Sequence, residues 1–146
     1  MMKHELSWSA SRAREFERCR RENWYARYRA WNWWGEEPRG EKYQAMVLKQ
    51  LDSIPAFAGS CVHAAIEKWF QHKKAGTDMS QEELFEEARE LFREGWRQSS
   101  TDAWKTRPNK LTHLEEHHFG IEVSKERTDR VRQLFEVCAD NFFKSP

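Results

Sequence analysis

The stretch SQEELFEEARELFREGW, Ser80 to Trp96, decides the fold class. Its apolar members Leu84, Phe85, Ala88, Leu91, Phe92, Gly95 and Trp96 recur at helical spacing, which places them on one face of an α-helix. Glu82, Glu86, Glu87, Glu90 and Arg93 fall on the other. Ser80 is placed to accept a bond from an early backbone N–H, and Glu83, three residues later, completes a capping box. The acids gather near the start, where the helix dipole favours negative charge.

The same periodicity extends outward in both directions. Towards the C-terminus it predicts a helix over Ser124 to Phe143, with Val131, Leu134, Phe135, Cys138 and Phe142 as its stripe. Towards the N-terminus it predicts one over Pro55 to Ala75, buried through Ala58, Cys61, Val62, Ala65 and Trp69. Pro55 suits its first turn and Gly76 its end. Ser9 to Trp34 reads as helix with a break near Cys19 to Asn23, Gly35 to Gly40 as a breaker, and Glu41 to Leu51 as a shorter helix. Thr101 to Asn109 reads as a loop, and Leu111 to Phe119 as a short helix closed by Gly120. Strand-like alternation is almost absent, and neither repeats nor an interdomain linker stand out. The expectation is a mainly α chain: one helical domain of about five to seven helices over residues 1–146.

Bulk properties narrow the class. A chain of 146 residues is long enough to bury a core. Charged residues make up 34%, yet eight Trp, nine Phe and three Tyr argue against disorder, which is poor in aromatics. No apolar run approaches the roughly 20 residues that span a bilayer, and Met1 to Ser11 lacks the apolar core of a signal peptide. A cytoplasmic protein without a membrane partner is expected. Cys19, Cys61 and Cys138 form no CxxC pair and suggest neither a disulfide framework nor a zinc site. Net charge is +1 but unevenly placed: Met1 to Trp34 holds eight Lys/Arg against four Glu, and Gly76 to Trp96 holds seven acids against two Arg.

Three places are candidates for chemistry. Gly59, His63 and Glu67 are four residues apart, so they share a helix face rotated away from the apolar stripe. On that face His63 is a candidate metal ligand or catalytic residue, or else a solvated histidine; Glu67 either orients His63 or a water, or is solvated too. In the first segment, Arg12, Arg18, Arg20, Arg21 and Arg27 interleave with Phe16, Trp24, Tyr25 and Tyr28. Guanidinium groups suit phosphates and rings stack on bases, while the plainer reading is an amphipathic helix with a solvated basic face. His113 and His117 have a spacing that can serve one metal, but no third ligand is evident and a surface histidine cluster is the stronger reading.

Taken in order, these features resemble the beginning of a RecB-like nuclease of the PD-(D/E)XK superfamily. Ser7-Trp8-Ser9, Phe16, Cys19-Arg20-Arg21 and Trp24-Tyr25 resemble its opening segment, with Arg20 where a proline is common. Gly59, His63 and Glu67 resemble its helix with glycine, histidine and an acid. Glu116 to Gly120 and Asn141-Phe142-Phe143 resemble segments that precede the catalytic sheet in some members.

The resemblance implies that His63 joins an Asp and an Asp/Glu-x-Lys pair around Mg²⁺ or Mn²⁺. None of the ten lysines has an acid two residues before it, so that half of the site is missing from this sequence. Some members carry an iron–sulfur cluster; Cys19 would be only its first ligand, and no cluster is expected. The resemblance therefore implies the N-terminal helical part of a larger α/β nuclease, with DNA as partner. It would be inactive without a C-terminal catalytic segment, and its oligomeric state stays open. The rival is a complete, non-catalytic helical module that binds nucleic acid or protein.

Overall fold

The computed structural model describes residues 8–31, 33–35 and 40–145; Ser7 and the 36–39 part of the expected breaker lie outside them. Seven α-helices and no strand occur among the described residues, so the mainly α expectation holds. None of these helices is long and apolar enough to cross a membrane. The chain forms two compact units, residues 1–50 and 51–146.

In the first unit, α1 runs Ala10–Arg18 and α2 runs Arg20–Trp24. Ser9 caps α1 by accepting the Arg12 N–H at 3.3 Å. The expected break falls at Cys19, whose extended backbone (φ −158°, ψ 105°) ends one helix and caps the next, its Sγ accepting the Glu22 N–H at 3.4 Å. The chain then widens into a π-helical turn, Tyr25–Arg29, and makes one 3₁₀ turn, Trp33–Gly35. Helix α3, Glu41–Lys49, packs on the π turn and buries Ala45, Met46 and Val47. Glu41, in its first turn, takes the Tyr25 hydroxyl at 3.3 Å and an Arg29 nitrogen at 2.5 Å, fixing that packing.

The second unit is built on three long helices: α4 (Ile54–Lys74), α5 (Gln81–Ser100) and α7 (Lys125–Lys144), each in contact with the other two. Local signals set their limits. Ser53 caps α4 with Pro55 in the first turn, and Gly76 at φ +76° follows its end, a conformation that penalises any Cβ. The Ser80–Glu83 capping box is present in both directions, at 3.2 and 2.7 Å.

Alanines at 58, 65, 88 and 139 let the three helices approach, while Ile54, Leu84, Leu114 and Phe135 fill the interior. Each such large side chain contributes about 1.5–3 kcal/mol by leaving water. At Gly95 the packing is tight: a Cβ there would sit 2.2 Å from the Phe57 ring.

Several local expectations are corrected. The helix expected over Leu111 to Phe119 is only one turn, α6, Glu115–His118. Ahead of it the chain is extended and forms a parallel bridge between Leu114 and Asp52, with Asp52 N–H on the His113 carbonyl at 3.1 Å and Glu115 N–H on the Asp52 carbonyl at 2.9 Å. The loop over Thr101 to Asn109 contains a 3₁₀ turn, Ala103–Thr106. Leu134, expected in the α7 stripe, is exposed; Val131, Phe135 and Ala139 carry the buried side instead.

Candidate functional site

Helix α4 carries the Gly59, His63 and Glu67 face. Ala58, Cys61, Val62 and Ala65 are buried, whereas His63 and Glu67 are exposed, so the rotation read from helical spacing is the one observed. His63 makes no hydrogen bond among the described residues, and Glu67 accepts only a long one from Gln71, at 3.5 Å. A Cβ built on Gly59 would meet nothing within 4 Å, so the surface one turn before His63 is open. On the core side of the same helix, burial and the nearby Asp52 carboxylate push the Cys61 thiol up to about 12, leaving it an inert core group.

The start of α4 is anchored by a residue whose role the sequence did not reveal. Glu116 is 2% exposed, and its carboxylate accepts the Ile54 N–H at 3.1–3.2 Å while pairing with Arg127 of α7. A carboxylate at a helix N-terminus answers both an unpaired donor and the dipole. A single buried acid thus ties α4, α6 and α7 together. The only sequence signal was Glu116 heading a histidine-rich turn, which does not identify its partners.

The five arginines divide into groups. Arg18 pairs with Glu22, and Arg27 donates to Glu15 at 2.6 Å, where Asn23 also donates at 3.4 Å. Arg12 is half-buried on α1. Arg20 and Arg21 are exposed and outside any ion pair within 4 Å among the described residues. Arg20 lies 5.2 Å over the Phe16 ring and Arg21 5.9 Å over Tyr25. Exposed rings accompany them: Trp8 sits edge-on to Phe16 at 6.2 Å, and Trp24 edge-on to Tyr25 at 5.0 Å. Cys19 is exposed in the gap between α1 and α2. Cys19 follows Phe16 by three residues, so an unbroken helix would bury its thiol on the Phe16 side; the extended residue breaks that helical phase and leaves the thiol exposed.

The histidine group is not a surface cluster. His113 is 4% exposed and stacks on Trp104 at 3.5 Å, with His118 edge-on at 4.9 Å. Burial and the neighbouring His118 hold it well below the usual imidazole range, at about 4, and its Nδ1 has no hydrogen-bond partner among the described residues. His117 Nδ1 instead bonds the Ser99 hydroxyl at 2.8 Å, and that hydroxyl also accepts the Leu114 N–H at 2.8 Å. His113 is thus enclosed, His117 half-buried and His118 exposed.

No group of three or more His, Cys, Asp or Glu able to hold a metal occurs among the described residues. His63 with Glu67 offers one imidazole and one carboxylate, too few for Mg²⁺, which demands near-octahedral oxygen ligation. These residues fit a contribution to a metal seat and not the seat itself, so no catalytic step follows from them unaided.

Comparison with known families adds one finding. Residues 7–140 match the family described as the PD-(D/E)XK nuclease superfamily. No curated protein and no solved structure matches the chain.

Proposed function

The chain belongs to the PD-(D/E)XK nuclease superfamily, and we propose that it is the N-terminal helical part of a RecB-like, metal-dependent DNA nuclease acting in repair, recombination or defence. In this reading His63 is one ligand of a Mg²⁺ or Mn²⁺ ion, and Glu67 orients it or a bound water. The Asp and Asp/Glu-x-Lys groups, for which this sequence has no acid-x-Lys candidate, come from a further segment.

The observation that carries the reading is the placement of His63. It stands exposed on a long, firmly capped helix, one turn from a glycine with open space above it, while the opposite stripe is spent on the core. A ligand destined to meet groups from elsewhere needs that combination of rigid support and outward projection. The first segment supplies the DNA-contacting surface through Arg12, Arg18, Arg20, Arg21 and Arg27. Arg20 and Arg21, resting on aromatic rings and outside ion pairs, are its most available members.

Two assays on this chain test the reading. With Mg²⁺ or Mn²⁺, plasmid and linear DNA should remain uncut beyond the level of a His63→Ala control. Fluorescence anisotropy with a labelled oligonucleotide should show weak binding that falls steeply with salt and is lost in the Arg20→Glu/Arg21→Glu variant. Cleavage at this chain's own site that depends on His63 would refute the divided site. Binding indifferent to salt and to both charge reversals would remove the arginine surface.

A further inference from the structure

Lys49 is the last residue of α3, far in sequence from the arginine-rich segment, yet the fold of the first unit brings it to the same cleft. The cleft has a volume of about 410 Å³, within the range of small-ligand sites. Three cations border it: Arg18, Arg27 and Lys49. Two of them face carboxylates in the same wall, Arg18 with Glu22 and Arg27 with Glu15. The Lys49 ammonium makes neither a hydrogen bond nor an ion pair within 4 Å among the described residues, and the Glu15 carboxylate acts on it only at longer range. Apolar surface also lines the cleft: Leu48, 52% exposed, together with Ala45 and Tyr25.

We propose that this cleft takes one nucleotide unit, its phosphate at the Lys49 ammonium beside Arg27 and its sugar and base over Leu48 and Tyr25. The inference rests on the reading of the first segment as a DNA-contacting surface, and it adds a residue and a defined seat to it. An ammonium is a mobile point charge suited to a phosphate, and an exposed leucine beside a phenol ring offers the sugar and base an apolar contact. The electrostatics point the same way. Partial burial first, and then the Arg27 and Arg12 guanidinium groups, hold Lys49 below the usual ammonium range, with Glu15 only partly offsetting them. A bound phosphate would relieve that positive potential.

The test uses the whole chain and a fluorescein-labelled single-stranded oligonucleotide, read by anisotropy over a salt series. Lys49→Glu and Lys49→Met should weaken binding several-fold, and Lys49→Met should lower the slope of log K against log salt by about 0.7, the share of one phosphate contact on a single strand. Lys49→Arg should bind within about twofold of wild type, since it keeps the charge. Leu48→Ser should weaken binding with the slope unchanged, as it removes an apolar contact. Circular dichroism identifies any variant that fails to fold; if Lys49→Glu does, Lys49→Met and Leu48→Ser decide.

Competition with adenosine monophosphate separates the sources. Displacement by the mononucleotide that disappears in Lys49→Met assigns the seat to free nucleotides, and competition by oligonucleotide only assigns it to a strand. Wild-type binding by Lys49→Glu, Lys49→Met and Leu48→Ser, while the Arg20/Arg21 reversal still abolishes it, would overturn the cleft and leave the arginine surface standing. Absence of binding by wild-type protein would overturn both.

Discussion

Glu116 accepts the backbone N–H of Ile54, 62 residues earlier in the chain, and so fixes the first turn of the helix that carries His63. The same carboxylate holds Arg127, which makes it the junction of α4, α6 and α7. Arg127 is 37% exposed and can turn to water, so removing Glu116 chiefly leaves the buried Ile54 N–H without an acceptor. Glu116→Ala should therefore cost about 1–3 kcal/mol in urea unfolding. Glu116→Gln should cost less, since its amide oxygen still accepts from Ile54. An alanine variant within about 0.5 kcal/mol of wild type, the usual scatter for a surface change, would show that the junction is dispensable.

Two glycines separate close packing from open surface. Gly95→Ala should lower the melting temperature, because the new Cβ collides with the Phe57 ring and approaches Thr112 Oγ1 at 2.9 Å. Overpacking of about 1–3 kcal/mol outweighs the ~1 kcal/mol gained in helix propensity. Gly59→Ala meets nothing within 4 Å and should raise stability by up to about 1 kcal/mol. Thermal melts of both variants check this; a stabilised Gly95→Ala would mean that the Phe57 ring gives way at low cost.

Buried His113 should make the protein acid-sensitive. Its folded pKa of about 4 lies below the ordinary value of 6.5, lowered by burial first and then by His118, with His117 and Lys105 adding to the effect and Asp102 opposing it. The unfolded chain therefore binds the extra proton between these values. The stability associated with neutral His113 is fully present above about pH 6.5 and is lost as pH falls towards 4, by up to ~3 kcal/mol. Urea midpoints measured from pH 7 to pH 4 should fall in wild type and fall less steeply in His113→Leu. Equal slopes would place the acid-labile group elsewhere.

The cysteines should differ in reactivity. Cys19 is exposed, whereas Cys61 is 3% exposed with its thiol pushed up to about 12. A thiol reagent at neutral pH should modify Cys19 in the native protein and Cys61 only after denaturation, as read by mass spectrometry of peptides. Modification of Cys61 as fast as Cys19 would mean that α4 does not bury its stripe.

Local chemistry made much of the fold legible. The Ser80–Glu83 box, Pro55 after a cap, and Gly76 each act within one turn, so the limits of α4 and α5 followed from neighbouring residues. The exposure of His63 followed too, because an angular offset on a regular helix is fixed by spacing. What stayed hidden depends on distant partners. The Asp52–Leu114 bridge, the Glu116 anchor and the Trp104 stack that encloses His113 join residues no periodicity connects. Cys19 was misplaced because one extended residue resets the helical phase. In the first segment, residue type marked the arginines, but only the fold shows Arg27 bound to Glu15 and Lys49 brought to their cleft.

In the proposed nuclease, His63 belongs to a metal seat whose other ligands come from a further segment. The most direct measurement is Mg²⁺- or Mn²⁺-dependent cleavage by the product of the whole native reading frame, wild type against His63→Ala, with melting temperatures recorded for both. Wild type should cleave, His63→Ala should fall to background, and the two melting temperatures should be nearly equal, since an exposed imidazole contributes little to stability. Cleavage by His63→Ala at the wild-type rate would contradict this role for His63.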